Sequence, residues 1–350
     1  MLNIFKYNRS FKLESGDMLP GFELAYQTFG KLNADKTNVV WITHALTANA
    51  NASEWWDGLV GEGKFLDPTR YFIICANVLG SPYGSTNPLS IKPFTGLPYY
   101  HSFPIITIRD IVATLDLLRQ HLGLSKIYLL IGGSLGGQQA LEWAIQQNTV
   151  FDKLILLATN AQHSAWGIAF NESQRLAIEA DATWQTNSPD AGSAGLKAAR
   201  SIALLSYRNY YTYVKTQTET DDAFKEVWRA SSYQRYQGDK LTGRFNAFSY
   251  WYLSKAMDSH NIGRGRGGLI NALAQIKAQT LVIGIASDLL FPVNEQITLA
   301  CGIEGAIYQE IDSLYGHDGF LIETEAIANV INNFFANSEQ IATVTHNLEN

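Results

Sequence analysis

The run Gly132-Gly133-Ser134-Leu135-Gly136 places one hydroxyl between small neighbours, at a spacing that suits nucleophilic chemistry. Gly132 and Gly136 flank Ser134 as in the G-x-S-x-G nucleophile elbow, where a strained backbone lifts a serine oxygen above a sheet and over a helix N-terminus. The apolar stretch Ile127 to Ile131 before it is short enough for a buried parallel strand. Gln138 to Gln147 after it favours helix, with Ala140, Leu141 and Ala144 at helical spacing. Gly-rich strand-to-helix turns also bind phosphates. A dinucleotide site, however, needs G-x-G-x-x-G with an acidic residue about 20 positions on, and a P-loop needs Gly-Lys-Ser/Thr. Neither pattern is present.

A serine hydroxyl is a poor nucleophile at neutral pH, so it needs a base, and the base needs an acid to orient it. In elbow-type sites the acid and then the histidine follow the serine, each just beyond a later strand. Thr280 to Ala286 is a β-branched apolar run ending at Ser287-Asp288, which puts Asp288 at a strand's C-terminal edge. Ile307 to Ile311 alternates apolar and polar residues before Tyr315-Gly316-His317-Asp318-Gly319, which puts His317 on a loop. Of the seven histidines, His121 closes a predicted helix, His163 and His260 lie in polar surroundings, and His346 falls in a tail. His317 has both the order and the strand context. The predicted triad is therefore Ser134, Asp288 and His317: His317 takes the serine proton, and Asp288 fixes the imidazole tautomer and stabilises its cation.

These residues need a scaffold. The chain of 350 residues suffices for one α/β domain with a large insertion, or for two domains. With 46% hydrophobic and 17% charged residues it has an ordinary globular composition. The net charge of −6 offers no basic footprint for nucleic acid. No apolar run approaches the ~20 residues that cross a bilayer, and Met1 to Tyr7 lacks the apolar core and cleavage site of a signal peptide. Cys75, inside an apparent buried strand, and Cys301, near a helix end, read as ordinary small apolar residues in a reducing compartment. A cytoplasmic enzyme is the expectation. No Cys/His cluster has metal-ligand spacing, and neither metal nor bound cofactor is expected.

Strand-like runs fall at Phe22 to Phe29, Val39 to His44, Tyr71 to Val78, Ile127 to Ile131, Leu154 to Ala158, Leu281 to Ala286 and Ile307 to Ile311. Alternated with helical stretches such as Ile111 to His121 and Gln138 to Gln147, they predict a mostly parallel sheet covered on both faces. From about Ala161 to Ala274 this rhythm stops. Helical patterns rich in Tyr, Trp, Arg and Gln take over, including Leu204 to Tyr211 and Phe248 to Leu253. The expected organisation is a core of residues 1–160 and 275–350 with a helical insertion over 161–274, placed to roof the serine as a lid. Its aromatic residues suit either a core or a dimer contact. There is no internal repeat, and a frayed polar tail is expected from Asn337.

Several further segments resemble the homoserine O-acetyltransferase family. They are His44-Ala45-Leu46-Thr47, Trp55 to Gly61, Leu66-Asp67, Arg70-Tyr71-Phe72, Asn77 to Gly80 and Gly84-Ser85-Thr86. Gly132-Gly133-Ser134 with Ala140 to Ala144, Tyr207-Arg208, Tyr236-Gln237-Gly238, Arg244-Phe245, Gly263 to Gly267 and Tyr315 to Asp318 continue the match, in order, from about residue 10 to residue 325. The resemblance implies an α/β-hydrolase fold and transfer of an acyl group from acyl-CoA to the side-chain hydroxyl of L-homoserine, on the route to methionine. It implies the same triad, and an oxyanion hole made by the backbone N–H groups of Leu46 and Leu135. It also implies that Arg208 takes the homoserine carboxylate and Asp318 its ammonium. On residue type alone, an arginine on an aromatic-rich helix reads as a surface or interhelical ion pair. Arg264 and Arg266 suit either coenzyme A phosphates or a lid turn. The sequence departs from the family pattern at Leu135, where methionine is usual, at Ala48-Asn49, where Gly-Asp is common, and at Asn87, where glycine is common.

The reaction expected is a ping-pong transfer from acetyl-CoA through an acyl-Ser134 intermediate in a homodimer. An esterase or thioesterase with the same triad, a relative using succinyl-CoA or serine, and a non-catalytic binding protein on the same fold are the alternatives. The intact triad argues against the last.

Overall fold

Runs of β-branched and large apolar residues make the central strands, because each face of this sheet is covered and both parities of a strand must be apolar. The computed structural model describes residues 1–348, with side chains described as far as residue 336. Its strands are β1 (Leu2–Tyr7), β2 (Phe11–Lys12), β3 (Met18–Leu19), β4 (Phe22–Phe29), β5 (Val39–Thr43), β6 (Phe72–Ala76), β7 (Ile127–Gly133), β8 (Phe151–Leu157), β9 (Gln279–Ile285) and β10 (Ile307–Ile311). Eight form one sheet in the order β1-β4-β6-β5-β7-β8-β9-β10, and β2 pairs with β3 apart from it. From β6 to β10 all neighbours are parallel, while β4 runs antiparallel to both β1 and β6. The expected mostly parallel sheet is present. β1, where no strand was expected, is an edge strand with only Phe5 buried, too weakly patterned to stand out.

Strand β5 shows the two faces. Trp41 points into one apolar layer and meets Trp143 edge to face at 5.0 Å, while Val40 and Ile42 point into the other with Trp56 and Phe320. The helices are α1 (Ala52–Trp55), α2 (Ile108–His121), α3 (Leu135–Gln146), α4 (Ala165–Glu179), α5 (Ser193–Tyr207), α6 (Tyr210–Gln217), α7 (Arg229–Thr242), α8 (Ala247–Asp258), α9 (Leu269–Leu273), α10 (Val293–Gly302), α11 (Gly319–Ile322) and α12 (Thr324–Leu348). α2 starts three residues before the expected Ile111 because Thr107 and Asp110 close a reciprocal capping box. The tail expected from Asn337 falls in the last turns of α12, whose side chains lie outside the described residues, as do residues 349–350.

Six helices, α4 to α9, occupy the interval between β8 and β9. The pattern read as one helix over Leu204 to Tyr211 is broken: α5 ends at Tyr207, Arg208 is extended (φ −119°, ψ 169°), and Asn209 caps α6 by accepting from the Thr212 N–H. One other expectation changes: Cys301 is exposed rather than packed. His163 and His260 lie among polar groups as expected, His163 against Gln138 and Asn171 and His260 against the Asn160 carbonyl, and both are buried. Burial pushes their imidazoles down to about 4 and about 3, so both stay neutral. Among the described residues no helix is long and apolar enough to cross a membrane.

Candidate active site

Strand β7 enters the elbow and α3 leaves it, with Ser134 between them at φ 57°, ψ −127°, a conformation unfavourable for any residue with a Cβ. The surroundings hold it there. The Ser134 N–H donates to the Leu157 carbonyl on β8 (3.0 Å), and its carbonyl accepts from the Thr159 hydroxyl (2.9 Å). The flanking glycine is required by close approach: a Cβ at Gly136 would lie 2.1 Å from the Thr43 carbonyl oxygen. The helix thus starts directly behind the serine.

Asp288 follows β9, and His317 lies in a single 3-10 turn, Gly316–Asp318, after β10. Strands β9 and β10 are adjacent and parallel, so their C-terminal ends emerge side by side. The Leu290 and Phe291 N–H groups hold Asp288 Oδ1 at 2.8 and 2.9 Å, while Oδ2 accepts from His317 Nδ1 at 2.6 Å. Nδ1 must then carry the proton, which leaves Nε2 as the acceptor, 2.9 Å from Ser134 Oγ. All three residues are buried. The structure therefore brings together the serine, histidine and acid expected from chain order, as a charge-oriented nucleophile and base.

Several supporting residues received no role from the sequence. Ser287 donates to the Ser313 carbonyl (2.6 Å) and accepts from the Gly316 N–H (3.1 Å), strapping the acid's loop to the histidine's. Phe291 stacks on the imidazole at 5.1 Å, and Phe320 and Tyr207 flank it at 5.2 and 5.8 Å. Ser287, beside the acid, and Tyr207, in the matched pair Tyr207-Arg208, could have been suspected.

Leu135 opens α3, so its N–H has no partner four residues back. Leu46 sits in the loop after β5. One side chain ties the two segments together: Gln139 Nε2 donates to the His44 carbonyl (3.0 Å) and to the Leu135 carbonyl (3.1 Å). Burial pushes the His44 imidazole down to about 4, and its Nε2, facing the Val78 N–H at 3.2 Å, anchors the loop to the segment after β6. Backbone N–H groups from a helix start and a neighbouring loop are the usual means of holding an oxyanion.

Arg208 and Asp318 also meet at this site, but through each other: Nε lies 3.1 Å from Oδ2. Burial pushes the Asp318 carboxyl up, against the pull of the Arg208 and Arg200 guanidiniums and of His317. With Nε engaged, the Arg208 Nη atoms have no hydrogen-bond partner among the described residues and are left for another acceptor.

Residues 38–324 match the family model described as alpha/beta hydrolase fold. A homoserine O-acetyltransferase of Cyclobacterium marinum is 53% identical over 332 residues, covering 95% of this chain and 94% of its own. The chain belongs to the homoserine O-acetyltransferase family. A crystal structure of the homoserine O-acetyltransferase from Bacillus anthracis has a TM-score of 0.88 at 25% identity, over 95% of this chain and 97% of that one. Esterase E22 has a TM-score of 0.87 at 26% identity, over 95% and 99%.

Two of the departures from the homoserine O-acetyltransferase family pattern are absorbed by local hydrogen bonds. The Asn49 side chain accepts from the Asn51 N–H (2.8 Å), and Asn87 spans its own turn by donating to the Ser85 carbonyl and accepting from the Leu89 N–H, both at 2.8 Å. Arg264 and Arg266 are structural: Arg264 pairs with Glu14 at 2.9 Å and Arg266 with Glu142 at 2.5 Å, which pins the glycine-rich turn to the core.

Proposed function

We propose that this protein transfers the acetyl group of acetyl-CoA to the side-chain hydroxyl of L-homoserine, releasing coenzyme A and O-acetyl-L-homoserine, the activated form used on the way to methionine. The observation that carries this reading is the Arg208–Asp318 pair beside His317, one group for each charge of an α-amino acid, in a chain 53% identical to a homoserine O-acetyltransferase.

The Ser134 hydroxyl attacks the thioester carbonyl while His317 Nε2 takes its proton; the Leu46 and Leu135 amides hold the oxyanion. The C–S bond breaks, and the proton passes from His317 to the departing thiolate. Homoserine then places its hydroxyl at the acyl carbon, with its carboxylate on Arg208 and its ammonium on Asp318. His317 takes the hydroxyl proton, the ester forms, and the proton returns to Ser134 as it leaves. No bound cofactor enters these steps. Water competes for the acyl-serine, and helices α4 to α9 act as the lid that excludes it while the clamp raises the acceptor's effective concentration. The reaction is expected in the cytoplasm. The protein is expected to be a homodimer, which would cover the exposed Tyr210, Tyr211, Phe224 and Trp228 of the insertion.

The resemblance to esterase E22 supports a second reading, hydrolysis of the same acyl-enzyme by water. Coenzyme A release from acetyl-CoA and from succinyl-CoA, each with homoserine, with serine and with no acceptor, separates them. The proposal requires release dependent on homoserine, with O-acetylhomoserine identified by mass. Release without an acceptor supports the esterase; release with serine or from succinyl-CoA moves the substrate and leaves the triad.

A further inference from the structure

The Arg208–Asp318 pair has a charged neighbour with no role so far. Arg200, two turns earlier on α5, lies with its guanidinium 5.4 Å from the centre of the Tyr207 ring, and that ring lies 5.8 Å from the His317 imidazole. Its Nε is buried without a hydrogen-bond partner among the described residues. Two hydroxyls nearby are buried and equally unpartnered, those of Tyr213 and Tyr233. Their rings meet edge to face at 6.1 Å, and the Arg208 guanidinium lies 5.5 Å over the Tyr233 ring. The charges of Arg200, Arg208 and Asp318 all act on the Tyr213 hydroxyl.

Buried polar atoms in native proteins are almost always paired, by protein, water or ligand. Here three unpaired ones gather where two guanidiniums face a single carboxylate. The cluster lacks one anion with acceptor lone pairs. We infer that Arg200, with the Tyr213 and Tyr233 hydroxyls, completes a subsite that takes the carboxylate of the acceptor amino acid jointly with the Arg208 Nη atoms. The inference rests on the acceptor reading above and deepens it. Asp318 is thereby freed for the ammonium, and a neutral alcohol or water, lacking a carboxylate, leaves the cluster unsatisfied. Selectivity for an amino-acid acceptor then comes from two arginines rather than one.

The test compares kcat/KM for L-homoserine with that for 3-aminopropan-1-ol, which keeps the hydroxyl and amine and lacks the carboxylate, using acetyl-CoA as donor. In the wild-type protein the ratio should strongly favour homoserine. Arg200→Met should cut that ratio at least about tenfold, mainly through KM for homoserine, and Arg200→Lys should restore part of it. If Arg200→Met lowers both acceptors equally, the arginine only packs on Tyr207 and the inference is wrong. Should Arg200→Met fail to fold, Arg200→Lys and the double variant Tyr213→Phe/Tyr233→Phe decide, since a wild-type ratio in both overturns the subsite. A wild-type protein that does not prefer homoserine overturns the acceptor reading and this inference together; a wild-type preference retained in the variants overturns this inference alone.

Discussion

Arg208 and Asp318 are 110 residues apart in the chain and form one ion pair, with Nε 3.1 Å from Oδ2. Gly316 makes the meeting possible. With φ at +62° it turns the histidine loop against the end of α5, so closely that a Cβ there would lie 3.1 Å from the Arg208 carbonyl carbon and the Tyr207 oxygen. The proposed site for the acceptor's charges and His317 therefore share one turn, and in that proposal the substrate inserts its own charges beside an existing pair.

Removing the nucleophile should abolish the first half-reaction. Ser134→Ala should lower turnover by at least about 10⁴-fold and form no acyl-enzyme. Intact-protein mass after incubation with acetyl-CoA checks this; a stable acetyl adduct on the variant would mean that another residue is the nucleophile.

Arg208→Ala should lower kcat/KM for homoserine by about 10²-fold or more while an acyl-enzyme still forms. Loss of its partner pushes Asp318 further towards the neutral acid, so Arg208→Ala combined with Asp318→Asn should cost less than the two single effects added together. Single-turnover acetylation and steady-state kinetics on all four proteins measure the coupling. Strict additivity, or a loss confined to acetylation, would contradict the clamp.

Because burial raises the Asp318 carboxyl, the anion proposed to receive the ammonium should disappear at a higher pH than an ordinary carboxylate would. As pH falls through that raised value, kcat/KM for homoserine should decline along a limb that is missing from the pH profile of acetylation. Coincident profiles for the two half-reactions would rule this out.

Gly316→Ala should destabilise the fold by about 1–3 kcal/mol, since alanine must adopt a left-handed conformation against the Arg208 backbone. It should also displace His317, lowering turnover beyond any loss of folded protein. Denaturant melts read the first effect, and turnover per folded molecule reads the second; an unperturbed variant would show that the loop has room to relax.

His44, His163 and His260 are held neutral by burial. Their folded pKa values lie below the ordinary 6.5, so the unfolded chain binds protons first as pH drops, and stability is full above about 6.5 and falls below it. An imidazole kept neutral to about 4 costs about 3 kcal/mol by that pH. Denaturant midpoints between pH 7 and pH 4 should fall, and His163→Asn should flatten the fall; a flat wild-type curve would show that these rings are protonated in the fold.

Much of this site was legible in the linear sequence, because its chemistry obeys short-range rules. A nucleophile elbow needs small residues on both sides of the serine, so Gly132 and Gly136 mark Ser134. Buried parallel strands must be apolar on both faces, which placed β7 and β9, while the alternation of apolar and polar residues placed the edge strand β10, and with them the loop positions of Asp288 and His317. Tertiary structure alone decided the rest. The break after α5 that turns Arg208 out of a helix, the pairing of Arg208 with Asp318, the Phe291 and Phe320 walls around the imidazole, and the unpaired Arg200, Tyr213 and Tyr233 all depend on segments far apart in the chain. Propensity and periodicity report what a residue's near neighbours allow. Which distant charges and rings share a buried volume is settled only when the insertion packs on the sheet's C-terminal edge.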